Sequence, residues 1–404
     1  MYNEERLRKS FYLLRKDIEG LKFRINEFKE EPKKGEIVID REYEKFFENK
    51  VILITGGLGF IGSNIAHRLT KLKHKPKKII LLDSMIQGLG GNKFNVYEIE
   101  DKVQILVGKE WDLRNIKKMS SLLKHVDIVF NLAGSVSHIG SKENPLFDLE
   151  LNLLSHLKFL EACKKVKLSN PNKKLKIVYA GTRDQYGKVK QEALPVKESH
   201  LISEVADPQG INKSAAEFYH FWYRHFGIET CSLRLSNIYG PRHIMTDAGQ
   251  GVLNWFIRQV IDDETMKLWG GGEPLRDFIY VDDVVEAFLM VAASDNTDGK
   301  LYNLGAYRKK NGMYEHLCDS VKSIKKTAEL LIKIVGQGKV EIIPYPEDRK
   351  SLEPGHFYAD ATKIFEEVGW EPKVDLDEGL KRSISFYKKY KKHYWNSKDE
   401  RRKN

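Results

Sequence analysis

The sequence predicts an α/β fold with a doubly wound parallel sheet and a smaller C-terminal lobe. From residue 50 onward, short apolar runs with the length of buried strands alternate with helical patterns. This alternation is typical of parallel sheets covered by helices on both faces. After Tyr239-Gly240-Pro241 it loosens into turn-rich segments, which predicts insertions after the later strands. The predicted strands of the sheet are 51–55, 78–83, 103–107, 127–132, 175–180 and 229–235.

The first strand leads into a glycine-rich turn, TGGLGFIG at 55–62, which opens a helical pattern. A strand, a glycine turn and a helix in this order form the context of a dinucleotide site. Gly56 permits the tight turn, Gly59 lets the backbone approach a pyrophosphate, and Gly62 lets the helix pack close to the strand. The turn therefore predicts a dinucleotide cofactor.

The residues after the turn narrow the choice of dinucleotide. Phe60 and Ile61 begin the helix, where free N–H groups and the positive end of the helix dipole attract phosphates. The second strand ends in Asp83, and no Arg or Lys follows until Lys93. An acidic side chain there accepts hydrogen bonds from both ribose hydroxyls of NAD and repels a 2′-phosphate. The sequence therefore favours NAD over NADP.

Composition limits the classes of function. The chain has 404 residues, a net charge of +11 and 41% hydrophobic residues. No stretch reaches the length of a membrane span, the N-terminus lacks an apolar signal region, and no nucleic-acid-binding motif is present. Three cysteines without metal-ligand spacing predict reduced thiols, a cytoplasmic location and no metal site. The lysine-rich charge predicts a solvated basic surface and also suits an anionic small substrate.

The two ends of the chain differ from the rest. Residues 1–46 carry a heptad pattern of apolar residues with charges on the other faces. Two interpretations stay open: a coiled-coil or docking helix that sets the oligomeric state, and a helix packed on its own domain. Residues 396–404 form a basic tail. The apolar heptad positions are Leu7, Phe11, Leu14, Ile18, Leu21, Ile25 and Phe28.

We expect the remaining chain to form two intimate parts. A dinucleotide-binding Rossmann domain spans 47–240, and the segment 276–305 returns to it. A substrate-binding lobe spans 241–395. Ligands in such sheets bind at the carboxyl ends of the strands, so this lobe is predicted to cap the cofactor.

Several further motifs occur in a characteristic order, and they make a family resemblance specific. From about residue 50 to 390 the chain resembles the extended short-chain dehydrogenases, in particular the nucleotide-sugar epimerase and dehydratase group. The matching segments are TGGLGFIG at 55–62, WDLR at 111–114, NLAG at 131–134, Asn152, RLSNIYGP at 234–241, RDFIYVDD at 276–283, YNLG at 302–305 and GWEP at 369–372.

The resemblance implies roles for particular residues around the cofactor. Asp112 matches the acidic residue that contacts adenine, with Leu113 beside it, while Leu132 and Ala133 match the cofactor segment after the fourth strand. Lys213 matches the lysine that orients the nicotinamide ribose.

The resemblance also implies how a nucleotide-diphosphate sugar is held. Thr182 matches the hydroxyl residue at the reacting sugar oxygen. Asn237 and Arg276 match diphosphate contacts, and Arg349 is a second candidate arginine, because guanidinium groups suit phosphate geometry.

A homodimer is implied through two amphipathic helices at about 145–165 and 210–226. The apolar residues that line these helices are Leu153, Leu157, Leu160, Phe218, Phe221 and Trp222.

One position departs from the family pattern. Where the YxxxK motif carries its catalytic tyrosine, this chain has Gln209, which cannot accept a proton at working pH. Three explanations stay open. Another group is the base, with Asp184 or His138 as candidates and Tyr186 as a weaker one; a rearranged loop supplies a tyrosine; or hydride transfer is impaired and the chain is a binding protein.

The sequence favours an NAD-dependent nucleotide-sugar epimerase that acts through a transient 4-keto sugar. The nearest alternative is a nucleotide-sugar 4,6-dehydratase, which Asp184 favours and Arg183 disfavours, since that subgroup carries another acid there. The alternative from another class is a non-catalytic scaffold that binds NAD and a nucleotide sugar.

Overall fold

The computed structural model describes residues 42–395, apart from 203, 247, 248, 250 and 346–354. The heptad pattern of 1–46 therefore lies almost wholly outside the described residues, as do Arg349 and the basic tail. Within the described part, a short 3-10 helix, Glu42–Phe47, precedes the first strand and buries Phe47 in the core.

A seven-stranded sheet forms the centre of the fold, in the order β10-β6-β5-β4-β1-β2-β3. All neighbouring strands run parallel. The predicted doubly wound α/β fold is thus confirmed. Its strands are β1 (Val51–Thr55), β2 (Lys78–Asp83), β3 (Gln104–Val107), β4 (Ile128–Asn131), β5 (Lys176–Thr182), β6 (Glu229–Leu235) and β10 (Leu301–Leu304).

Helices cover both faces of this sheet, and apolar clusters fill the space on each face. The strands are buried on both sides, which explains why they read as continuous apolar runs. In chain order the helices of this part are α1 (Phe60–Thr70), α2 (Ile116–Leu123), α3 (His138–Glu143), α4 (Pro145–Leu149), α5 (Ser155–Ser169), α6 (Pro208–Trp222) and α8 (Val281–Ala293).

The C-terminal lobe has its own apolar cluster, built around Phe256, Leu331 and Tyr387. In its small sheets β9 lies between β13 and β7, and β14 pairs with β8, while β11 and β12 form a hairpin. The strands are β7 (Asn237–Tyr239), β8 (Thr265–Trp269), β9 (Leu275–Tyr280), β11 (Tyr307–Lys310), β12 (Met313–His316), β13 (Val321–Ser323) and β14 (Lys339–Ile343). The helices are α7 (Val252–Ile261), α9 (Ile324–Val335), α10 (Thr362–Val368) and α11 (Leu376–Tyr390).

Three further observations bear on the sequence predictions. Cys163, Cys231 and Cys318 are buried free thiols. Across the described residues, no helix combines the length and the apolar character needed to cross a bilayer. The expectation that Leu160 faces a partner subunit is wrong, because its side chain is fully buried against the sheet of its own domain.

Candidate functional site

A single cavity of about 1160 Å³ lies at the carboxyl ends of the central strands. The turns after β1, β2, β4, β5 and β6 form one wall, and the C-terminal lobe contributes β8, β9 and the start of α7 to the other. The volume exceeds the roughly 300–1,000 Å³ of a typical ligand pocket. It therefore has room for a dinucleotide together with a second ligand.

The glycine turn after β1 leaves no space for side chains. Gly56 adopts a left-handed backbone with φ +66°, and a Cβ there would lie 3.2 Å from the backbone nitrogen of Ala133. A Cβ on Gly62 would lie 2.4 Å from the carbonyl oxygen of Gly56. Phe60 and Ile61 follow at the N-terminus of α1 and line the cavity. The turn fits a pyrophosphate, since α1 begins here without a side-chain cap and the first N–H groups of a helix attract phosphates.

The end of β4 is fastened to this turn by Thr55. Its hydroxyl donates to Asn131 Oδ1 at 2.8 Å and accepts from the backbone N–H groups of Leu132 at 3.0 Å and Ala133 at 3.2 Å. Both of those residues line the cavity. Thr55 thereby fixes the distance between the two turns that enclose the same ligand.

Asp83 ends β2 at the cavity wall. Its carboxylate accepts backbone N–H groups from Leu58 at 3.2 Å and Met85 at 2.9 Å. Burial raises the pKa of Asp83, while these two hydrogen bonds oppose the rise. The side chain is held in the place where a ribose hydroxyl would be recognised.

Asp112 and Leu113 also line this end of the cavity. Burial by itself favours the protonated form of Asp112, but hydrogen bonds from Arg114 outweigh it and lower the pKa. The guanidinium binds both carboxylate oxygens, with Nε 2.9 Å from Oδ1 and Nη2 2.8 Å from Oδ2. Asp112 is thus an ionised carboxylate with a fixed orientation.

At the other end of the cavity, four side chains from three separate segments form a chain of polar contacts. The Thr182 hydroxyl donates to Asp184 Oδ2 at 2.7 Å. The same Asp184 oxygen lies 3.6 Å from His138 Nε2. On the far side of the imidazole, His138 Nδ1 lies 2.6 Å from Asp207 Oδ2. Because a carboxylate only accepts, this Nδ1 carries a proton, and Asp207 fixes which nitrogen points to the cavity.

The charges in this chain shift both pKa values. Burial disfavours the charged imidazolium of His138, but the carboxylates of Asp184 and Asp207 outweigh that effect and raise its pKa. Burial also disfavours ionised Asp184, but Arg183, His138 and the Thr182 hydroxyl outweigh it and lower the pKa to about 2. The imidazole lies deep in the cleft yet keeps 43% of its side-chain surface accessible, because it faces the cavity. His138 therefore titrates nearer to neutral pH than Asp184 does.

Lys213 enters the cavity from α6. Its ammonium donates to the carbonyl oxygen of Ala180 at 3.3 Å and lies 5.7 Å from the ring centroid of Tyr179. Burial lowers the pKa of Lys213 to about 8, against the charges of Asp148 and Asp184. The lysine is thus poised to lose its proton slightly above neutral pH.

Gln209 sits one turn before Lys213 on α6, and it is 2% exposed. Its Nε2 donates to the carbonyl oxygen of Ser135 at 3.2 Å, so the amide fastens the loop after β4. Its Oε1 is buried without a hydrogen-bond partner among the described residues. Gln209 lines the cavity, but Oε1 itself has almost no accessible surface.

Tyr186, the weaker base candidate, lies away from the cavity. It is fully buried, and its hydroxyl donates to Asn303 Oδ1 at 2.7 Å. Burial raises its pKa to about 12. Within the described lining of the cavity the one tyrosine is Tyr345, whose ring lies tilted beside Trp269 in the C-terminal lobe, with centroids 6.2 Å apart.

Of the three predicted substrate contacts, the structure brings two to the cavity. Asn237 follows β6, and its Oδ1 is buried without a partner among the described residues. Arg276 lies on β9, and its Nη1 donates to the carbonyl oxygens of Leu275 at 3.0 Å and Gly355 at 2.6 Å. Its neighbour Asp277 instead turns inward and accepts the N–H groups of Ala306 and Ala359.

A sequence model of the NAD dependent epimerase/dehydratase family matches residues 52–305. The chain belongs to this family. Its cofactor is NAD, in agreement with the glycine turn and Asp83.

Two curated relatives and one solved structure illustrate the range of the family. The chain is 31% identical to the "Putative UDP-glucose 4-epimerase" of Methanocaldococcus jannaschii, over 84% of this chain and 98% of the relative. It is 30% identical to UDP-glucuronic acid decarboxylase 6 of Arabidopsis thaliana, over 83% of this chain and 88% of the relative. The crystal structure of UDP-glucose 4-epimerase from Thermotoga maritima with UDP-glucose superimposes with a TM-score of 0.70 at 28% identity, covering 84% of this chain and 99% of that one.

In this family member, the sequence prediction missed two residues of the cavity. Asp207 caps α6, where its Oδ1 accepts the N–H of Gly210 at 3.0 Å while Oδ2 holds His138. The Asp-Pro pair at the helix start signals the cap but not the histidine. For Arg183 the sequence indicates only a departure from the dehydratase pattern. The structure places this residue in the cavity wall.

Proposed function

We propose that this family member is an NAD-dependent nucleotide-sugar epimerase that acts through a transient 4-keto sugar. The observation that carries the proposal is the contact chain of Thr182, Asp184, His138 and Asp207, which faces the cofactor cavity opposite Lys213. His138, held by the orienting carboxylate of Asp207, takes the place of the family's catalytic tyrosine, which is Gln209 in this chain.

The glycine turn and Asp83 would hold NAD, which would supply hydride transfer at the sugar carbon. His138 removes the proton of the sugar hydroxyl at Nε2, since Asp207 keeps the Nδ1 proton in place. The carboxylates that raise the pKa of His138 stabilise the imidazolium that forms when Nε2 takes the proton. Asp184, with a pKa of about 2, stays ionised and stabilises the imidazolium rather than accepting the proton itself.

Thr182 positions the reacting oxygen. Its own proton points to Asp184 Oδ2, and the oxygen accepts the N–H of Asp184 at 3.3 Å, so one lone pair remains for the sugar hydroxyl. Lys213 orients the nicotinamide ribose, and Asn237 and Arg276 hold the diphosphate. We expect Arg349 to add a further contact to the diphosphate.

One observation favours a 4,6-dehydratase as a second candidate. Asp184 lies two residues after Thr182, where an acid or base could act at the neighbouring sugar carbons. Its low pKa argues against a proton donor at that position. A non-catalytic scaffold is the third candidate, and Gln209 is the feature that supports it.

The experiment that separates these candidates uses the purified protein with bound NAD and a panel of UDP- and dTDP-linked sugars. NMR of the products distinguishes a 4-epimer from a 4-keto-6-deoxy sugar, and absorbance follows the reduced cofactor. The epimer is the expected product. A 4-keto-6-deoxy product supports the dehydratase instead, and binding of the sugars without any turnover supports the scaffold.

We also propose that the protein is a cytoplasmic homodimer. On adjacent helices α4 and α6, large apolar side chains are exposed, among them Leu146 at 73%, Phe218 at 59% and Trp222 at 50%. Exposed apolar patches of this kind mark association surfaces. Light scattering at micromolar concentration should give a dimer, and Phe218→Glu with Trp222→Glu should give a monomer with unchanged folding by circular dichroism. A monomeric wild-type protein would contradict the proposal.

A further inference from the structure

The epimerase proposal gives no role to Arg183, a charged side chain of the cavity. Arg183 follows directly after β5, is 8% exposed and lines the cavity beside Thr182 and Asp184. Among the described residues its guanidinium makes no hydrogen bond. Its nearest carboxylate oxygen is Asp184 Oδ1, 3.4 Å from Nη2. A guanidinium has five N–H donors, so most of them remain for a ligand.

The guanidinium has a fixed position. It lies over the ring of Phe357 at 5.1 Å from the centroid. Phe357 is itself buried, and its backbone N–H donates to the carbonyl oxygen of Leu275 at 3.0 Å on β9. Stacking of this kind restricts the plane of the guanidinium and lowers the entropy lost on binding. Arg183 is therefore preorganised rather than a mobile surface charge.

The surrounding charges favour an anion. Lys142 on α3 also lines the cavity, and within the described residues it has no ion pair. Burial lowers its pKa, against the charge of Asp207. Lys213 and Arg276 add two further cations. The carboxylates at this end are Glu143, Asp184 and Asp207.

A diphosphate at Arg276 accounts for only part of this positive charge. Arg183 lies beside Asp184 Oδ1, while Asp184 Oδ2 faces Thr182 and His138, where the reacting sugar carbon is proposed. A neutral hydroxymethyl group there would leave most guanidinium donors buried without partners, which is costly. A planar carboxylate would accept two of them in parallel.

We propose that the sugar of the substrate carries a carboxylate, so that the substrate is a nucleotide-linked uronic acid, and that Arg183 binds this carboxylate with two hydrogen bonds. Lys142 attracts the same carboxylate electrostatically, without a hydrogen bond in a fixed position. This inference rests on the proposed function, because it assumes a nucleotide sugar in this cavity. It goes further by naming the class of sugar and the residue that selects it.

The test is a calorimetric titration of the NAD-loaded protein with UDP-glucuronate, UDP-glucose and UDP. UDP-glucuronate is expected to bind roughly 10–100-fold more tightly than UDP-glucose, in the range of a charged bidentate hydrogen bond. Equal affinity of the two sugars would overturn the inference and leave the proposed function intact. If none of the three binds, and dTDP-glucose also fails, the proposed function falls together with the inference.

Variants assign the preference to Arg183. Arg183→Gln should abolish the preference for UDP-glucuronate while the affinity for UDP changes less than about 3-fold. Arg183→Lys keeps the charge but loses the planar fork, and it should retain only part of the preference. The matched control is Arg224→Gln, which removes an exposed arginine paired with Asp298 and should bind like the wild type. A preference that survives in Arg183→Gln contradicts the assignment, and the wild-type comparison decides the substrate class even if that variant does not fold.

Discussion

The cofactor end of the cavity and its catalytic end differ in the atoms that they present to a ligand. At the cofactor end, backbone N–H groups of the glycine turn and α1 dominate, and Asp83 and Asp112 are held by N–H donors. At the catalytic end, ionisable side chains face one another, with His138 between two carboxylates. The first arrangement depends on backbone shape and the second on charge. Substitutions should accordingly change binding at one end and pH dependence and rate at the other.

The largest effect is expected at His138. His138→Gln should lower kcat by about 10²–10⁴-fold, because it removes the proposed acid–base group while keeping a polar side chain. Steady-state kinetics with the nucleotide sugar that the wild-type protein turns over would measure this loss. His125→Gln, which changes an exposed histidine at the end of α2, is the control. A wild-type rate in His138→Gln would show that the charged end of the cavity does not carry the chemistry.

A smaller effect, on binding, is expected at the cofactor end. Asp83→Ala should weaken NAD affinity by about 10–100-fold, since a carboxylate that accepts ribose hydroxyls makes charge-assisted hydrogen bonds. The measurement is a titration of the apoprotein with NAD and with NADP, and Asp101→Ala on the exposed surface is the control. Unchanged NAD affinity, or tighter binding of NADP by the unmodified protein, contradicts the role of Asp83.

A change in pH dependence is expected for Asp184→Asn. The base must be neutral to accept a proton, so kcat should rise with pH through the pKa of His138, which lies above its ordinary value of 6.5. Removing the Asp184 charge takes away a contribution that raises this pKa. The low-pH limb of the profile should therefore move to lower pH. A limb that stays in place would mean that another group titrates there.

The smallest effect is expected at Gln209. Gln209→Met keeps the length of the side chain but loses the hydrogen bond to Ser135, worth about 1 kcal/mol of stability. We expect a lower melting temperature, a change in kcat of only a few fold, and unchanged limbs of the pH profile. A limb of the pH profile that moves would indicate that the Gln209 amide takes part in proton transfer. The two ends of the cavity would then differ less than proposed.

Much of the fold and of the cofactor end could be predicted from residues that lie close together in the chain. Six of the seven strands of the central sheet are found within a residue or two of their predicted bounds, and the seventh, β10, lies in the segment 276–305 that the sequence predicts only to return to this domain. The glycine turn, α1 and Asp83 at the end of β2 all lie within one βαβ unit. The homodimer and the individual site roles stay predictions, because they depend on contacts with molecules other than this chain.

The sequence by itself determined the doubly wound sheet, the NAD cofactor and the loss of the family tyrosine at Gln209. These follow from local backbone requirements and from residue identity, which the sequence states directly. Only the tertiary structure decided that Asp207 holds His138, 69 positions away. It also decided that Arg183 turns into the cavity and that Tyr186 turns away from it. Such pairings depend on how separate elements pack, and side-chain direction at the end of a strand is set by neighbours that are distant in sequence.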